Sequence, residues 1–148
     1  MSTLFAFLHH VAAFTLVAAL AVEFVLLRHE PNLQTMRRIL IADAIFGAAA
    51  GAVLVVGLLR VFFFEKGPDY YWSSHAFLTK FGVFILIALL SIVPTVEFLS
   101  WRKAIKAGRV PEVDPKKLKS IRTIMHVELA GIVVILAMAA IVARGGWV

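Results

Sequence analysis

Residues 74–90 read SHAFLTKFGVFILIALL. The run stays apolar to about residue 99, broken only by Ser91, Pro94, Thr95 and Glu97. About 20 apolar residues in an α-helix cross the roughly 30 Å hydrocarbon core of a bilayer. This stretch therefore reads as a membrane-crossing helix. It also poses a question, because Lys80 sits about one turn inside it.

Three further runs of the same kind surround it. The spans are expected at about residues 4–27, 39–64, 76–99 and 121–143, in one domain of 148 residues. Hydrophobic residues make up 61% of the chain, well above the 45–50% usual in soluble domains. The mean hydropathy of +0.93 agrees. The fold class is all-α, a four-helix transmembrane bundle. The first run lacks a basic leader and is too long for a signal-peptide core. There is no cysteine, which excludes disulfides, thiolate metal sites, a cysteine nucleophile and covalent c-type haem attachment.

Net charge is +6, but the basic residues sit in short segments between apolar runs. That pattern marks membrane topology and excludes a nucleic-acid face. Arg28, Arg37 and Arg38 lie in the first connection, and Arg102, Lys103, Lys106, Arg109, Lys116, Lys117, Lys119 and Arg122 in or beside the third. The second connection holds Lys66 alone. Positive residues favour the cytoplasm. Loops 28–38 and 100–120 are thus expected in the cytoplasm of a bacterium, with both termini on the periplasmic side of its inner membrane. Pro31-Asn32 and Gly67-Pro68-Asp69 mark turns, and the third connection reads as a polar loop. Tyr70, Tyr71 and Trp72 read as an interfacial belt, with Trp101 and Trp147 as anchors. Pro94 is expected to kink its helix. Gly47 and Gly51 form a GxxxG spacing that suits close packing, within the monomer first, with a homodimer or partner seam as the alternative.

Ionisable residues within spans fall into two layers. His10, Arg60 and Lys80 share a level roughly 6–9 Å below the outer boundary, with His9 and His75 at or above it. Glu23, Asp43, Glu97, His126 and Glu128 lie near the opposite ends of the helices. For the inner cluster, ion pairing with nearby arginines stands against a proton path through Glu128 and His126. Those two are about 200° apart on a helix, which counts against the path. In the outer layer, snorkelling and a packed histidine stand against a ligand site. A neutral imidazole and a deprotonated amine can both ligate haem iron. On that reading His10, with His9 as second choice, and Lys80 clamp a haem b, and Arg60 pairs with a propionate or another anion.

Four features resemble known families: Leu8-His9-His10-Val11, Arg37-Arg38, the Lys80 segment, and Arg122 with Glu128. From end to end the chain resembles an uncharacterised bacterial family of predicted membrane proteins. More distantly it resembles the membrane-bound protoporphyrinogen IX oxidases and the related copper-resistance membrane domain. The oxidase resemblance implies b-type haem at His10 and Lys80 and, for an enzyme, a membrane oxidoreductase. Val127 and Leu129 flank Glu128 where the oxidases carry an asparagine and a nearby proline, and the oxidases' further histidine on the third helix is absent. The rival readings are a cofactor-free helical protein acting by packing with itself or a partner, and a small-anion transporter. No GxSxG, Walker, HExxH or GxGxxG motif is present.

Overall fold

The computed structural model describes residues 2–30, 32–64, 68–73 and 75–144. Pro31, Lys66, Gly67 and Trp147, and the side chains of Tyr70 and Tyr71, fall outside what is described. Four helices are long and apolar enough to span a membrane. They are α1 (Ser2–Leu26), α2 (Leu33–Leu59), α4 (His75–Ser100) and α6 (Pro115–Ala143). Two short helices join them, α3 (Pro68–Ser73) and α5 (Arg102–Lys106), and α2 ends in a π-helical turn, Arg60–Phe64.

Capping explains why α2 and α6 begin before their apolar runs. The Asn32 side chain accepts a hydrogen bond from the Thr35 amide at 2.8 Å, and Asp114 accepts from Lys116 at 3.0 Å with Pro115 opening the helix. Both helices thereby carry their first basic residues on helical turns. The third connection is also more ordered than a polar loop. Trp101 is 2% exposed, tilts onto Phe98 and donates its indole N–H to Glu97 at 3.1 Å. It fills the core between α4 and α5 and is no surface anchor. Gly108, at φ +75°, turns the chain after α5. Helix α4 runs unbroken through the buried Pro94.

The helices pack as two antiparallel pairs, α1 along α2 and α4 along α6, and the pairs meet over a much slighter seam. The α4–α6 approach is close because Gly131 has no side chain: a Cβ there would stand 2.7 Å from Ile87 Cδ1. In the other pair Gly57 admits the His9 ring, whose Cε1 would lie 3.3 Å from a Cβ. The expected role of the GxxxG pair within the monomer is not what the structure shows. Gly47 and Gly51 are exposed on the outer face of α2, and a Cβ on either would meet nothing within 4 Å. One core cluster runs from Leu16 and Leu20 to Trp101 and Met125, and a second, of Val61, Ala76, Phe77 and Val142, closes the end that holds the chain termini.

Candidate functional site

At the basic-loop end of the seam, acids from three helices meet. Glu23 on α1, Asp43 on α2 and Glu128 on α6 are 2%, 7% and 1% exposed. The fourth helix supplies Thr95, whose hydroxyl donates to Asp43 Oδ1 at 3.1 Å. The Glu23 and Asp43 carboxyl groups come within hydrogen-bonding reach of each other, and Glu128 lies within electrostatic reach of both. Glu23 Oε1 and Glu128 Oε1 are buried without a hydrogen-bond partner.

The expected arginine partners are elsewhere. Arg122 turns to the end of α1, donating from Nε and Nη2 to the Leu27 carbonyl at 3.1 and 2.5 Å. Arg37 reaches the Ile105 carbonyl at 3.5 Å. Arg28 lies over the Phe24 ring, and Arg38 and Arg102 are exposed. Among the described residues no cation stands at ion-pair distance from Glu23, Asp43 or Glu128. Glu97 leaves the cluster as well and pairs with Lys117 at 3.0 Å. His126 faces outward and meets Phe24 edge-on at 4.6 Å. It does not join Glu128.

The other end of the seam gathers basic groups. His9, Arg60 and Lys80 come within electrostatic reach of one another from α1, the π-turn and α4. His9 is half-buried, with its ring against Gly57 and the Val53 backbone. Lys80 Nζ lies 5.4 Å from the Phe77 ring centroid. His10, one residue and about 100° further round α1, is exposed. Its Nδ1 lies 2.6 Å from the Ala6 carbonyl oxygen. The structure therefore puts His9, and not His10, with Lys80 and Arg60.

Between the two clusters the seam holds an apolar cleft of about 80 Å³. Pockets for drug-sized ligands start at roughly 300 Å³, so this cleft is small, and neither His9 nor Lys80 lines it. No group of three or more His, Asp or Glu side chains among the described residues is arranged to hold a metal ion. Sequence reading missed Thr95, which carries no charge, and Gly57 and Gly131, which have no small residue four positions away to mark them.

The chain matches the family described as "Predicted membrane protein (DUF2214)" over residues 1–146, and it belongs to that family. No curated protein and no solved structure matches it.

Proposed function

We propose that this member of a membrane-protein family binds and exchanges protons inside the bilayer, at Glu23, Asp43 and Glu128. One observation carries the reading: three buried carboxyl groups from three helices share a site with no cation beside them among the described residues. A carboxyl–carboxyl hydrogen bond needs a proton between the two groups. Crowded like charges in an apolar interior do not all ionise. Ionisable residues facing a bundle interior are typical of proton relays. The positive-inside bias supports placing the 28–38 and 100–120 loops in the cytoplasm of a bacterium, so that protons reach the cluster from that side.

The test is infrared difference spectroscopy of the protein in lipid at neutral pH. A carbonyl band from a protonated carboxylic acid is expected. It should shift in D2O and weaken in Glu23→Gln, Asp43→Asn and Glu128→Gln. A wild-type spectrum without such a band, unchanged by the triple substitution, would overturn the reading.

A second reading keeps the haem. His10 offers an exposed ring whose Nδ1 engages the Ala6 carbonyl. That leaves Nε2 as the free donor, the arrangement found behind metal-binding histidines. A haem b at the lipid-facing surface of α1 would use His10 without Lys80, and when bound it would supply one-electron chemistry. The check is a reduced-minus-oxidised absorption spectrum of protein purified from haem-replete cells. A Soret band lost in His10→Ala supports it, and a colourless wild type excludes it. For a partner, the open Gly47 and Gly51 face favours a second copy of the chain in the bilayer. Cysteines placed at Ala48 should cross-link between copies, and Gly51→Leu should abolish the cross-link.

A further inference from the structure

The basic cluster lies just beyond the terminus end of the apolar cleft, about one to two helical turns from residues that line it. His9 stands one turn beyond the cleft residue Ala13 on α1, and Lys80 one turn beyond Phe84 on α4. Arg60 stands two turns beyond Val53, whose backbone the His9 ring touches. Three basic side chains thus cap the terminus end of one slot between the helix pairs.

The slot has no polar lining, so water would lack the two to four hydrogen-bonding partners it needs there. Its rim reaches Leu136, which is 60% exposed on the lipid-facing side of α6. A volume of about 80 Å³ matches two to three water volumes of roughly 30 Å³ each, enough for a few carbons of a flexible chain. The remainder of such a chain would pass the rim into the bilayer. Positive charge at the mouth of a narrow apolar slot open to lipid complements one kind of molecule, an anionic head on a single hydrocarbon chain.

We infer that the seam between the two helix pairs binds a long-chain fatty acid. The carboxylate meets His9, Arg60 and Lys80, and the first methylenes lie against Ala13, Val53 and Phe84. This site is at the opposite end of the seam from Glu23, Asp43 and Glu128, and it stands whether or not those residues exchange protons.

The experiment is equilibrium binding of radiolabelled oleic acid, and of its uncharged methyl ester, to the purified chain in nanodiscs of zwitterionic lipid. Saturable binding of the acid is expected. The ester should bind about tenfold more weakly, the equivalent of one charge-assisted hydrogen bond of about 1.5 kcal/mol. Lys80→Gln should bring the acid down to the level of the ester, while Lys80→Arg keeps the preference. Ala50→Leu, which fills the slot, should weaken both ligands. Each variant is compared at matched recovery from gel filtration, so that loss of fold is separated from loss of binding. Equal, non-saturable uptake of acid and ester by the wild type would overturn the inference. So would wild-type binding in Ala50→Leu.

Discussion

Removing the Asp43 carboxyl strands two groups at once. In Asp43→Ala the Thr95 hydroxyl loses the acceptor it reaches at 3.1 Å, and Glu23 loses its hydrogen-bonding partner. Interhelical hydrogen bonds within membranes average about 0.6 kcal/mol, with about 1.7 as the upper end. A buried polar group left without a partner costs about 1–3 kcal/mol. Asp43 is 7% exposed and Glu23 2%, so water does not easily compensate. The alanine variant should therefore lose about 2–4 kcal/mol. Asp43→Asn should lose less than about 1 kcal/mol, because an amide still accepts from Thr95 and can donate to Glu23. Thr95→Val should cost about 1 kcal/mol, and in the double variant with Asp43→Ala the two losses should overlap. The assay is reversible unfolding in mixed micelles, followed by the fluorescence of the buried Trp101. Equal losses for the alanine and asparagine variants, or strict additivity between Asp43 and Thr95, would refute the hydrogen-bonded arrangement.

Gly131→Ala should be mild, about 1 kcal/mol, because Ile87 lines the cleft and can swing into it. Gly131→Leu should separate α4 from α6 and cost at least about 3 kcal/mol in the same assay. Arg122→Gln should weaken the cap on α1, and hydrogen exchange should quicken at the Leu27 amide, which bonds the Glu23 carbonyl at 3.0 Å. Lys117→Ala should change stability by less than about 0.5 kcal/mol, because the Lys117 side chain is 62% exposed. A loss above about 1 kcal/mol there would show that the pair with Glu97 is stronger than a surface ion pair.

The four long helices and the split of ionisable residues into two groups were legible in the sequence, because length, apolarity and depth along a helix are all one-dimensional quantities. Direction around the helix was not. Helices that are apolar on nearly every side carry little signal for which face meets a neighbour. His9 and His10 are adjacent in sequence, yet only His9 turns to Lys80. Gly47 and Gly51 had the spacing for close packing, while Gly57 and Gly131 make the close approaches. Arg122 lies near the same end of the bundle as Glu23, Asp43 and Glu128, so pairing with the acids was a fair expectation. Its guanidinium instead satisfies the carbonyl at the end of α1, a demand visible only once the helix terminus is placed.

The pairing of α1 with α2 and of α4 with α6 bears on how the chain is made. Each pair is a contiguous stretch of sequence, so its closest partners leave the ribosome one after the other. The first hairpin can close in the bilayer before the second has been synthesised. In doing so it brings Glu23 to Asp43, and two costly polar side chains begin to shelter each other during insertion. The second hairpin then arrives with Thr95 and Glu128 against a preformed surface. Assembly is completed by docking two halves, each already built from local contacts.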